Sequence, residues 1–347
     1  MSTFQRFDRE NDLVENQRTT ISSGLWSAGA AELTSFFTQS TNGHITGSFL
    51  ELYNKNPNSD TTAEVQFAVG YAHIDGSGSK GNKTSQTTTG DRQTAALYRQ
   101  FRNVLLAPNT DKFEFTSSPT ASGDKDFYFV SFQRARQREK IDPGNWELVL
   151  SGEMHAEMKD DKLYLIDDSS TTTNTTVGEG GRVFNVVSGS ISNGVHTAAA
   201  DEPNEGAFGL FYPDLGIVLL NALKVEMSGG LAANARDDNM FISRSQVFYN
   251  AIHSGSSFQA RREEEISSTN YFVRVNNKRF NFSANPTFAT SSDGSMTQAS
   301  FYKDPKTFIT QVGLYNDENE LLAIAKLSQP LLNSYSREAI IKVKLDF

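Results

Sequence analysis

The sequence contains no cysteine. That one absence removes disulfide bridges, thiolate metal sites and cysteine nucleophiles together, and it is compatible with a chain made in a reducing cytoplasm. No apolar run approaches the roughly 18 residues that a membrane-spanning helix requires. The first twenty residues, MSTFQRFDRENDLVENQRTT, carry charge throughout and lack the apolar centre of a secretory signal. A soluble protein kept on the cytoplasmic side of any membrane is the expectation. Positive charge is also in deficit. The 32 Lys and Arg face 41 Asp and Glu, a net charge of −9, whereas a nucleic-acid binder is usually built on a basic domain.

Catalytic and ligand-binding spacings are missing as well. Gly76-Ser-Gly78-Ser-Lys-Gly81 matches G-x-G-x-x-G, but the segment after it, NKTSQTTTG, has loop composition instead of opening the helix a dinucleotide site needs. It also fails as a P-loop, because Asn82 separates Gly81 from Lys83-Thr84. The five histidines (His44, His73, His155, His196, His253) are scattered without H-x-x-x-H or H-x-H pairing, so no metal and no cofactor is expected. There is no G-x-S-x-G elbow. The acidic groups at Asp160-Asp161, Asp167-Asp168, Asp237-Asp238 and Glu263-Glu264-Glu265 do not fit a calcium loop. They read as solvated turn residues, and a protein that is not an enzyme is the reading that remains.

What is present is sheet-forming material. Phenylalanine is abundant, at 25 residues, and much of it falls in alternating runs that suit a pleated, half-buried surface. SFLELY (48–53), VQFAVGYA (65–72), DFYFVSF (126–132), WELVLS (146–151), KLYLID (162–167) and RVFNVVSG (182–189) read as strands. Three hairpins are expected. GLFYPDLGIVLL turns at Pro213-Asp214, YFVRVNNKRFNF at Asn276-Asn277, and TFITQVGLYNDENELLAIAKL at 316–319. AIIKVKLDF (339–347) alternates apolar and polar residues with period two. Asp142-Pro143-Gly144 reads as a turn. One amphipathic helix is expected at about 92–106, with Ala96, Leu97, Phe101, Val104 and Leu105 on its core side and Pro108 beyond its end.

These elements predict a mainly β protein of β-sandwich-like sheets built from antiparallel hairpins, with that helix on the flank. Residues 1–20 read as a flexible arm, 21–190 as a β-rich domain with the helix, and 207–347 as an antiparallel β domain. The boundary falls near 190–206, and a single domain is the alternative. The polar stretches 76–90, 169–181 and 291–297 read as surface loops. One charge pattern stands out. Arg134, Arg136, Arg138 and Lys140 recur at every second position after a hydrophobic strand. If that strand continues, all four share one face and form a basic stripe for an acidic partner surface or for phosphates, DNA in a head-to-tail connector included. Otherwise they are a charged edge or partners in salt bridges within the fold.

The segments RTTISSGLWSAGAAELTSFFTQS, AEVQFAVGYAHIDGSGS, ALYRQFRNVLL, REKIDPGNWELVLSG and TFITQVGLYNDENELLAIAKLSQPLLNSYSREAIIKVKLDF resemble virion structural proteins of contractile-tailed phages of cyanobacteria and other marine hosts. The last of them, over 307–347, is similar in pattern to the C-terminal end of baseplate wedge subunits. The resemblance implies a non-enzymatic subunit of the tail or baseplate, assembled in the host cytoplasm and carried in the virion. It implies other virion structural proteins as partners, in multiple copies; the hydropathy and the net charge of −9 speak against membrane and nucleic acid as partners. Neck, head-to-tail connector and capsid-decoration roles are the alternatives within that class. Outside it stands a carbohydrate-binding protein of an adsorption apparatus, with Tyr212, Tyr271 and Tyr302 as candidates for an aromatic platform.

Overall fold

The computed structural model describes residues 5–7, 12–39, 49–78, 89–115, 125–152, 162–171, 176–195, 208–228, 243–290 and 293–347. The architecture is mainly β, with 48% of residues in strands. In chain order the strands begin with β1 (Leu13–Gly24), β2 (Glu32–Leu33), β3 (Phe49–Tyr53) and β4 (Val65–His73), followed by helix α1 (Thr89–Leu105). Then come β5 (Asp126–Phe132), the helical turn α2 (Arg134–Gln137), β6 (Lys140–Leu150), β7 (Leu163–Asp167), β8 (Thr176–Gly178), β9 (Gly181–Ser190) and β10 (Gly194–Val195). The hairpin β11 (Gly209–Tyr212) and β12 (Ile217–Asn221) leads into α3 (Ala222–Ser228) and α4 (Arg244–Gly255). The chain closes with β13 (Phe258–Val275), β14 (Thr307–Tyr315), β15 (Leu321–Asn333) and β16 (Ala339–Asp346). It divides into two compact units, one of residues 21–264 and the other of residues 1–20 with 265–347.

The larger unit is a twisted antiparallel sheet with helices on both faces. Its central order is β13, β6, β7, β9, β11, β12, β5, β4, β3. Period-two alternation sends successive side chains to opposite faces, and at β4, β5 and β12 both faces are buried. Tyr128 and Val130 of β5, with Val218 and Leu220 of β12, join one core with Val247, Phe248, Ala251 and Ile252 of α4. The alternate residues Phe127, Phe129 and Leu219 join a second core with Tyr98 and Leu105 of α1. That explains why DFYFVSF is almost continuously apolar. The first core is dense in aromatic rings. Trp26 lies 5.0 Å from Phe258 and 5.6 Å from Phe67, centroid to centroid, and its indole N–H donates to the Phe258 carbonyl at 2.9 Å.

The smaller unit is a compact β body. The 265–275 part of β13 pairs with β16 from Ser268↔Asp346 to Val275↔Ala339. The first part of β1 lies along β13, held by Thr269 Oγ1 to Asn16 Oδ1 at 3.0 Å and by the Arg18–Glu265 ion pair at 3.2 Å. The β14–β15 hairpin is a separate two-stranded sheet. Leu314 of β14 packs with Val275, Ile341 and Val343 as the unit's core, against which Ile309, Val312, Ala325 and Leu327 are half-buried.

Several expectations are corrected here. The boundary near 190–206 does not separate two bodies, since β9 and β11 on either side of it pair directly, Phe211↔Phe184 among others. The chain instead divides at 20/21 and 264/265. The arm is not simply flexible, because Leu13 onward is strand. YFVRVNNKRFNF is not a hairpin. β13 ends at Val275, residues 276–284 form no strand, and the partner of β13 is β16, some 65 residues later in the sequence. Asp142-Pro143-Gly144 does not reverse the chain but bulges β6, where the register against β13 jumps between Arg262↔Ile141 and Ala260↔Trp146. Gly144 takes φ +79° there, a value glycine reaches without a Cβ clash. The helix is present at 89–105; Leu97, Phe101 and Leu105 pack against the second core as expected, joined by the buried Thr94 and Tyr98, while Ala96 is exposed and Val104 is 54% exposed.

Candidate functional site

The four basic residues singled out by spacing do not form a stripe. The strand ends at Phe132, and 134–137 wind into a helical turn closed by Arg138 at φ +57°. A helix and a strand distribute alternate residues differently, so the four side chains scatter. Arg136 pairs with Glu64 at 3.0 Å, Arg138 with Glu264 at 3.0 Å, and Lys140 with Glu263 at 3.6 Å. Arg134 donates to the Glu139 carbonyl at 3.3 Å. Three of the four cations are thereby matched by carboxylates of their own unit.

A buried ionic cluster lies on the α3/α4 side of the same sheet. Arg244, at the start of α4, places one guanidinium nitrogen 2.9 Å from Glu226 of α3 and 3.6 Å from Asp126 of β5. Tyr71 of β4 donates to Asp126 at 2.7 Å, and Tyr128 of β5 donates to Glu226 at 2.7 Å. The guanidinium carbon also sits over the Tyr71 ring, 5.1 Å from its centroid. Burial and the neighbouring carboxylates push both phenols up, Tyr71 through Asp126 and Tyr128 through Glu226, so both remain hydrogen-bond donors. The carboxylate side chains are each only 6% exposed. An enclosed group of this kind fixes elements; a substrate reaches it only if the fold opens. It ties β4, β5, α3 and α4 to one another.

The remaining motifs can be placed. Gly76 and Gly78 take φ +80° and +77°, and the next described element is α1 from Thr89. Gly81, Asn82, Lys83 and Thr84 lie outside the described residues, as do His44, His155 and His196. Among the described residues no group of three or more His, Asp or Glu is placed to hold a metal ion. Of the tyrosines considered as a platform, Tyr212 is 2% exposed and Tyr271 is packed at the core of its unit, while Tyr302 is 65% exposed.

The surface that stands out is the strand surface of the smaller unit and of β1. Ten consecutive residues of β1, Leu13 to Ser22, are exposed, and among the described residues β1 is the end strand of its sheet order. Leu13, Val14 and Ile21 are 59%, 49% and 47% exposed. The outer face of the β14–β15 hairpin shows Phe308, Leu322 and Ile324, all above 60% exposed. Alternation in AIIKVKLDF predicted one outward face for β16, and Ile340, Lys342, Lys344 and Asp346 do point away from the core. Neither the bare β1 nor the apolar outer face of the hairpin could be read from spacing. Burial of both sides of a strand depends on what the rest of the chain covers.

No family model, no curated protein and no solved structure matches the chain.

Proposed function

We propose that this chain is a non-enzymatic structural component of a tailed-phage virion, in the tail or baseplate, acting through protein–protein assembly contacts. The observation that carries the reading is β1. Soluble proteins keep edge strands short, charged or covered, because an open edge is a template for another chain. Here a twelve-residue edge strand has ten exposed residues in succession, and large apolar side chains stand out of the β14–β15 hairpin of the smaller unit. A surface of this kind is expected where a neighbouring subunit completes the sheet by strand addition. The sequence resemblance to phage structural proteins supports the same reading and supplies its biological setting. The closed ionic cluster and the paired basic residues fit a rigid body whose charges serve its own fold.

Deleting residues 1–20 tests this directly. The shortened chain is expected to fold, since its larger core lies within residues 21–264, and to be missing from purified particles. Wild-type levels of the shortened chain in particles would remove β1 from the assembly contact.

A further inference from the structure

The larger unit carries a polar groove that the assembly reading leaves unused. It lies on the face of the sheet opposite the α3/α4 core. Trp146, Leu148, Leu165 and Phe258 point into that core, so their neighbours Glu147, Tyr164 and Gln259 project from the other face by period-two alternation. Helix α1 packs with β4 and β5 residues on this face. Over β6, β7 and β9 a depression of about 610 Å³ remains, within the range of small-molecule sites. A second hollow of about 270 Å³ adjoins it, sharing Ile191 and Gln259.

The lining has a definite chemistry. Glu147, only 7% exposed, accepts from the Ile191 amide at 2.8 Å through Oε2. Gln259 sits directly opposite it on β13. Ser192 and Asn193, in the turn after β9, add hydroxyl and amide groups, and Tyr164 offers a ring that is 41% exposed. Lys162, at the rim, donates to the Gly255 carbonyl at 2.9 Å. The β9–β10 turn that walls the groove depends on Gly189. A Cβ there would stand 2.5 Å from the Gly194 carbonyl and 2.7 Å from Ile166.

We propose that this groove binds a neutral oligosaccharide. A sugar presents hydroxyls that both donate and accept, and a carboxylate, two side-chain amides and a serine hydroxyl satisfy both roles. Its ring carbons present an apolar face that packs on an aromatic side chain, the part taken by Tyr164. The one buried charge in the lining is negative, so neutral hexoses and N-acetylhexosamines are accepted while uronic acids are disfavoured. The site stands independently of the virion reading. It rests on the lining of one unit and not on β1.

The test is a printed array of neutral, N-acetylated and uronic-acid oligosaccharides probed with the labelled full chain, followed by titration of the best neutral sugar. Wild type and Tyr164→Phe should bind it, and Tyr164→Ala should bind about tenfold more weakly or worse through loss of the ring contact. Tyr302→Ala, in the other unit, should bind as wild type does. Thermal melts of each variant establish that it is folded, and Tyr164 is exposed enough for the alanine variant to remain so. Binding to no sugar, binding confined to uronic acids, or equal binding by Tyr164→Ala would each overturn the proposal. None of these results bears on incorporation into particles.

Discussion

Arg244 is the residue on which the α3/α4 layer turns. Its guanidinium is the cation shared by two buried carboxylates, so replacing it by methionine leaves Asp126 and Glu226 enclosed without that charge. Removing one partner of a buried ionic group costs about 3–5 kcal/mol. Urea unfolding of Arg244→Met should show a loss of that order, and a loss below about 1 kcal/mol would mean that water already screens the cluster. His73 behaves differently. Burial lowers its pKa below 6.5, while Asp126 and Asp75 oppose the shift and Arg244 and Lys125 add to it. The folded state thus prefers neutral His73. Its contribution is complete above about 6.5 and is lost as pH falls through the lower folded value. Melts between pH 7.5 and 5 should fall more steeply for wild type than for His73→Gln; parallel curves would contradict this. Asn270 is 1% exposed and neither atom of its amide finds a partner. An unpaired buried amide costs free energy, so Asn270→Leu should be neutral or stabilising in the same unfolding experiment.

Elements differ in how legible they were. WELVLS, DFYFVSF and the closing AIIKVKLDF declared themselves through alternation and apolar density, and each is a strand where expected. The 307–327 hairpin did so too, with Asn319 at φ +65° in its turn. By contrast, Asn276-Asn277 carried correct turn chemistry but no hairpin, because the register of β13 is set by β16 far along the chain. Local turn signals cannot see such a partner. The basic stripe failed for a related reason. Period two is meaningful only while the strand lasts, and β5 stops at Phe132. Neither Glu147 nor Arg244 was singled out by the sequence, since nothing local marks residues whose partners lie on other strands and helices. On the hairpin, Ile324 is 61% exposed. Ile324→Lys should change stability by no more than about 0.5 kcal/mol and yet reduce incorporation into particles. Normal incorporation would free that face from the assembly contact.

At the scale of the whole molecule, two units share one logic of construction and differ in finish. Residues 21–264 bury both faces of the sheet at β4, β5 and β12 and pair Arg136, Arg138, Lys140 and Arg244 with carboxylates. Residues 1–20 and 265–347 leave strands and large apolar side chains uncovered. The proposed assembly role would account for that asymmetry, with the contact to neighbours on the smaller unit. The most direct measurement is a reconstruction of contractile-tailed particles purified from cells in which this chain is made. The account predicts ordered copies of it in the tail or baseplate, with a neighbouring subunit lying along the exposed edge of β1. Particles that lack the chain, or that hold it with β1 bare to solvent, would contradict it.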